Sequence, residues 1–216
     1  MRVLAGAMMI LASVATPVTA QKEDVSEHMS IELDAYFSTD YSDSDFWGSG
    51  LGGGVTGFYA LSTTTFVGAR FSVTQWSYEP GSIGQELVND ISFGSDVTSE
   101  HSSGHVRLVS LTPLVRYQRD AVLGQLGAFI AAGAGVAYMK ESALTEVTYF
   151  PHAAGEGTAE FEIDNSDVNA TFQLLAGLRF PVSSSSCLEL ISSYRTTVAS
   201  NASDMVGVGI GFHIRV

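Results

Sequence analysis

The sequence predicts an all-β fold: eight antiparallel strands in up-and-down order, closed into a barrel. Three observations carry that expectation. Eight stretches alternate apolar with small or polar residues at a period of two, the mark of an extended chain with two unlike faces. The connections between them alternate short and long. The last stretch, 205–216, is apolar at every even position (Val206, Val208, Ile210, Phe212, Ile214, Val216) against Gly207, Gly209, Gly211, His213 and Arg215. Such a strand leaves an apolar edge unless it pairs back to the first, which closes the sheet.

The first strand is expected over 28–38, with Met29, Ile31, Leu33, Ala35 and Phe37 opposite Ser30, Glu32, Asp34 and Tyr36. A loop with Asp40, Asp43 and Asp45 leads to the second, 49–61, where Leu51, Val55, Tyr59 and Leu61 oppose Gly52, Gly54 and Thr56. Ser62-Thr63-Thr64 turns tightly into 65–78, which sets Val67, Ala69, Phe71 and Val73 against Gly68, Arg70, Ser72 and Thr74. A long loop is expected over 79–104. The fourth strand, 105–119, follows with Val109, Leu111, Val115 and Tyr117 against Ser110, Thr112, Arg116 and Gln118. Pro113 lacks a ladder donor and is a blemish in it.

After a short turn, 125–139 alternates Leu126, Ala128, Ile130, Ala132, Val136 and Tyr138 with glycine and alanine. A second long loop, 140–166, carries six acids. The clearest strand is 167–182: Val168, Ala170, Phe172, Leu174, Ala176, Leu178 and Phe180 against Asn169, Thr171, Gln173, Gly177 and Arg179. Residues 183–186 turn the chain into 187–198, where Leu188, Leu190, Tyr194 and Val198 oppose Glu189, Ser193 and Arg195.

Residues 1–20 read as a cleavable export signal: Arg2, an apolar run, then Val18-Thr19-Ala20. The expected domains are therefore that signal and one barrel domain, 21–216. No later apolar run reaches the length of a membrane helix. The only cysteine, Cys187, rules out an internal disulfide. Of the 23 acids behind the formal charge of −13, fifteen fall in 39–48, 79–104, 140–166 and 199–204, beside one base, Lys140. Phosphate contacts need Lys and Arg, so nucleic acid is excluded as a partner. Solvated acidic loops are expected instead.

The strand faces decide the surroundings. The face of glycine, alanine, serine and threonine would make a poor water-exposed surface, but it suits the crowded lumen of an eight-stranded barrel. The bulky face then meets lipid. Its aromatics gather at two levels, Phe37, Tyr138 and Tyr194 on the loop side and Tyr59, Tyr117, Phe180 and Phe212 on the turn side, as interfacial girdles do. The expectation is a transmembrane barrel in a bacterial outer membrane, with short turns and both termini periplasmic.

Charges on the inner face need partners there. They are Glu32, Asp34 and Glu189 with Arg70, Arg116, Arg179, Arg195, Arg215 and His213. Enclosed charges persist only when paired and hydrogen-bonded. Counting along the strands sets Glu32, Arg116, Arg179, Glu189, His213 and Arg215 in the periplasmic half, where a salt-bridged plug is expected to close the lumen.

Eight strands, an export signal and a terminal Gly-x-x-Phe/Ile-type strand resemble the small OmpA/OmpX-like outer-membrane barrels, over essentially all of 21–216. The resemblance implies that Gly211, Phe212, Ile214 and Val216 belong to the strand read by the barrel-assembly machinery, with valine where the family usually ends in an aromatic. It implies outer-membrane lipid and that machinery as partners, no cofactor, and a non-enzymatic envelope-structural or surface-interaction role. The ligand of the loops is not legible. Two alternatives stand beside it: an outer-membrane lipid A-modifying enzyme or protease, drawing on loop histidines His101, His105 and His152, and a narrow solute pore, which the charged filling disfavours.

Three motifs carry no chemistry. His101-Ser-Ser-Gly-His105 has a metal-like spacing but sits in a Gly/Ser-rich stretch without the accompanying Glu. The glycine run 48–54 lacks the Lys and helix of a phosphate loop, and lumen-facing small residues explain it better. Asp43-Ser-Asp45 fails the calcium-loop pattern, since Gly54 stands where the bidentate Glu belongs. No catalytic or metal site is expected.

Overall fold

The computed structural model describes residues 29–40, 47–78, 96–123, 126–150, 157–198 and 204–216. They form eight strands: β1 (Met29–Asp40), β2 (Trp47–Ala60), β3 (Thr65–Tyr78), β4 (Asp96–Leu123), β5 (Leu126–Phe150), β6 (Gly157–Pro181), β7 (Ser186–Val198) and β8 (Asp204–Arg215). Each pairs antiparallel with its neighbours in sequence, and β8 closes on β1 from Ser30↔Arg215 to Asp40↔Met205. The export signal, Asp43, Asp45 and His152 lie outside the described residues.

Hydroxyl-rich turns join the strands at one end. Leu61 N and Ser62 N donate to Thr65 O, while Ser62 Oγ accepts from Thr64 N and Thr65 N at 3.2 and 3.0 Å. The turn from β6 to β7 is built alike: Val182 N and Ser183 N donate to Ser186 O, and Ser183 Oγ accepts from Ser185 N. Such side chains supply the acceptors that a tight connection leaves missing. Pro113 interrupts the β4–β5 ladder without shifting it: pairing stops after Leu111↔Val136 and resumes in register at Leu114↔Gly133.

Alternation fixes which side meets what. The outer face carries Met29, Leu51, Leu111, Val136, Val168 and Ile210, each more than half exposed. The aromatics expected in girdles are on that face too, Phe37, Tyr59, Tyr138 and Phe212 exposed and Tyr117, Phe180 and Tyr194 half-buried. A belt of this kind far exceeds the apolar patch a soluble monomer tolerates. It belongs in hydrocarbon, where the closed ladder leaves no edge unsatisfied.

Two expectations need correction. The lumen is not filled by small residues and charges alone. Phe58, Phe66, Leu114, Phe129, Leu175 and Ile191 pack together inside it, and Trp76, Val106, Leu108 and Met205 form a second cluster. Small residues on one strand make room for large ones paired with them on the next. A Cβ on Gly177 would lie 2.5 Å from the Phe129 ring, and one on Gly52 would lie 2.6 Å from the ring of Tyr36. The glycine run of β2 is thus a bed for an inward aromatic.

The second correction concerns the two long loops. Much of 79–104 and 140–166 is strand. β4 and β5 stay paired out to Asp96↔Phe150, and β5 and β6 out to Tyr149↔Gly157. By contrast β3 leaves β4 at Ser77↔His105, and β7 leaves β6 at Val198↔Ala170. A three-stranded blade (96–104, 140–150 and 157–169) therefore projects past the barrel rim. One face carries exposed acids and the other is built largely of small or medium residues (Ala143, Thr145, Val147, Ala159), so its alternation is fainter than in the lipid-facing strands. Threonine, valine, tyrosine and phenylalanine in 145–150 still favour extended backbone.

Gly52→Val tests the packing. The Tyr36 hydroxyl is held 2.5 Å from Thr74 Oγ1, so the ring cannot swing clear. Overpacking of this kind costs about 1–3 kcal/mol. A urea titration of the heat-modifiable folded form is expected to show a lower midpoint; an unchanged midpoint would contradict the close approach.

Candidate functional site

Strand register gathers the inward charges. Glu32 of β1 lies opposite His213 of β8, Cys187 of β7 opposite the same histidine, and Arg179 of β6 opposite Glu189 of β7. Arg116 of β4 reaches across the lumen to both acids. It contacts Glu32 Oε2 and donates to Glu189 at 2.5 and 3.2 Å. Arg179 Nε donates to Glu189 Oε1 at 3.0 Å, its Nη1 to Asp120 at 2.5 Å and its Nη2 to Cys187 Sγ at 3.1 Å. Arg70 grips Asp34 with both terminal nitrogens, at 2.5 and 2.7 Å, and lies 3.7 Å from Glu32. His213 Nδ1 is 3.7 Å from Glu189.

Aromatic rings complete the enclosure. The Arg116 guanidinium sits 3.9 Å from the ring centre of Phe129 and 5.2 Å from that of Phe58. His213 stacks on Phe58 with centres 6.0 Å apart. An arginine held by carboxylates in its plane and by ring faces has its charge met on every side.

The structure thus brings Glu32, Asp34, Arg70, Arg116, Arg179, Glu189 and His213 into one connected cluster. Arg215 is exposed at the rim, because it is the last residue of β8, and joins only through Asp120 at 3.3 Å. Arg195 stands apart from the ion pairs. Its Nη2 donates to Ser72 Oγ at 2.8 Å, and among the described residues no carboxylate lies within 4 Å of it. Asp120, Cys187, Tyr36 and the two phenylalanines were not in the sequence-derived set. Parity could have found Asp120, which continues the inward series Thr112, Arg116, Gln118.

Glu32, Glu189 and His213 offer ligand atoms within 4.8 Å of one another. Both carboxylates, however, already bind guanidinium groups, whose positive charge opposes a divalent cation. The chemistry is that of a salt-bridged wedge, not a metal centre. A cavity of about 220 Å³ opens at the turn end and is floored by this cluster, with Asp120, Arg179, Cys187, His213 and Arg215 in its wall. In the terminal strand, Gly211 faces inward beside Ile191, while Phe212, Ile214 and Val216 face out and Val216 N donates to Met29 O.

The blade is a different surface. Its outward face carries Glu146, Glu160, Glu162 and Asp164, all exposed, with Glu146 directly opposite Glu160. Lys140 pairs with Asp164 at 3.5 Å. Its other face buries Ala143, Thr145 and Val147. Beyond Ala170, among the described residues, no strand pairs with the outer edge of β6.

No protein-family model matches the sequence, and no curated protein matches it either. Solved structures do resemble it in shape. Ail, the attachment invasion locus protein of Yersinia pestis, in complex with the heparin analogue sucrose octasulfate, superposes with a TM-score of 0.50 at 15% identity, covering 89% of this chain and 100% of that one. Neisserial surface protein A gives 0.51 at 12% identity, over 86% and 96%. The fold is that of the small eight-stranded outer-membrane barrels.

Two outcomes follow from the wedge. Arg116→Met leaves Glu32 with only the Arg70 guanidinium at 3.7 Å and Glu189 with only that of Arg179 at 3.0 Å, and is expected to destabilise the barrel by about 3 kcal/mol in urea titration. The same variant with Glu32→Gln and Glu189→Gln should recover much of that loss; no recovery would mean that the charges are not coupled. In planar bilayers the wild type is expected to show no steady, large conductance, and a stable open channel would contradict the filled lumen.

Proposed function

We propose that the protein is an exported, non-enzymatic outer-membrane surface protein that presents the β4–β6 blade to a positively charged partner, with the barrel as its anchor. The observation that carries this reading is strand length. β4, β5 and β6 have 28, 25 and 25 residues, against 12 to 14 in the other five. A tilted span uses about 9–11. The surplus over 140–150 reaches about 35 Å beyond the rim at ~3.3 Å per residue, a length that lipid anchoring does not require.

Two properties of the blade support a binding role. Its outer edge on β6 offers unpaired backbone groups to an added strand. Glu160, Glu162 and Asp164 along that edge repel a second copy of itself and favour a basic segment. The heparin analogue bound by Ail is a polyanion, and the acidic blade here points to the opposite preference. Export through residues 1–20, surrounding outer-membrane lipid, and assembly machinery reading Gly211, Phe212, Ile214 and Val216 complete the proposal.

The test uses protein in lipid nanodiscs and an extended lysine-rich peptide. Wild type is expected to bind it with an affinity that falls as salt rises. Glu146→Gln, Glu160→Gln and Glu162→Gln together should weaken binding by about tenfold or more, while substitution of His101, His105 and His152 leaves it unchanged. Equal binding by the neutralised blade, or preference for a sulfated polyanion, would overturn the proposal.

A further inference from the structure

Charge inside the barrel does not balance. Among the described residues, four guanidiniums, from Arg70, Arg116, Arg179 and Arg195, are enclosed with three carboxylates, from Glu32, Asp34 and Glu189, while Asp120, which also holds Arg179, is exposed at the rim and shared with Arg215. Arg70, Arg116 and Arg179 take up all three acids. Arg195 is the remainder, 5% exposed and bonded to the neutral hydroxyls of Ser72 and Tyr36. An enclosed cation without a counter-charge is the costliest of buried groups.

Beside Arg195 lies a cavity of about 10 Å³, with Ser38, Thr74, Trp76, Gln173 and Ser193 in its wall. Three buried polar atoms of that wall have no hydrogen-bond partner among the described residues: Trp76 Nε1, Ser38 Oγ and Gln173 Oε1. Indole N–H is solely a donor, a serine hydroxyl can turn to donate, and the Gln173 amide can present its NH2 by rotation. Donors and a spare positive charge therefore converge on one small space. A water would satisfy the donors and leave the charge unmet.

We propose that this cavity binds a single monatomic anion, chloride in ordinary media, held by the Arg195 guanidinium, the Trp76 Nε1–H and the Ser38 hydroxyl. Its volume is at the lower end of what one water needs, so a halide enters only as the Ser38 and Gln173 side chains turn aside, and acetate, phosphate or sulfate are excluded. The site balances the lumen: Glu32, Asp34 and Glu189 neutralise the periplasmic half, and the anion neutralises the half nearer the blade.

Bromide substitutes for chloride and scatters anomalously. Crystals grown in bromide are expected to show an anomalous peak within about 3.5 Å of both Arg195 and Trp76 Nε1, and Arg195→Met crystals none. In detergent, wild-type Tm should rise on the order of 5 °C in sodium chloride over sodium gluconate at equal ionic strength, with no difference in Arg195→Met. If that variant does not fold, Trp76→Phe keeps the charge, removes one donor and should weaken halide binding severalfold. No peak in wild type, no chloride-dependent shift, or a shift unchanged in both variants would overturn the site.

Discussion

Hydrocarbon offers no water to take up a backbone hydrogen bond, so a sheet that crosses it can have no edge. The rest of this structure follows from that constraint. It demands the β8–β1 seam, paired from Ser30↔Arg215 to Asp40↔Met205. The seam in turn makes every second side chain point into a narrow lumen and every other one into lipid. Past the rim the demand lapses. The same β6 that is paired on both sides below Ala170 carries an unpartnered edge above it among the described residues, guarded by Glu160, Glu162 and Asp164. Acidic side chains are what an edge in water needs to avoid unselective pairing.

Inside, eight strands leave just enough width for side chains, and the filling solves two problems at once. Glycines at 52 and 177 let Tyr36 and Phe129 lie flat over the neighbouring strand. Those rings and Phe58 then surround guanidiniums that reach across to carboxylates. Arg116 is the junction, touching β1 through Glu32 and β7 through Glu189. Its charge is neutralised by strands far from it in sequence, so the wedge ties together parts of the barrel that share no ladder.

The membrane-spanning portions of the strands were legible because a lipid-facing belt forces strict alternation: Ala170 to Phe180 in β6 and Val206 to Ile214 in β8 read as strands at once. Inward charges were legible by the same parity. Their partners were not, because pairing across the lumen depends on how the strands are staggered, and no local pattern encodes that stagger. Asp120 sat in what read as a turn. Phe58 and Phe129 have inward parity, but an expectation of small lumen residues obscured them. The blade was missed for a physical reason. Around Thr158 to Asp164 the alternation persists, but the exposed Thr158, Glu160, Glu162 and Asp164 stand against few bulky residues, and the dense acids make the stretch read as loop.

The whole architecture depends on which side of β8 meets hydrocarbon. With Cys187 replaced by serine, single cysteines placed in turn from 208 to 213 and labelled with a fluorophore can be challenged by a quencher dissolved in the bilayer. Quenching is expected at 208, 210 and 212 and protection at 209, 211 and 213. Protection at the even positions, or quenching without alternation, would contradict a lipid-facing apolar belt around a charged interior.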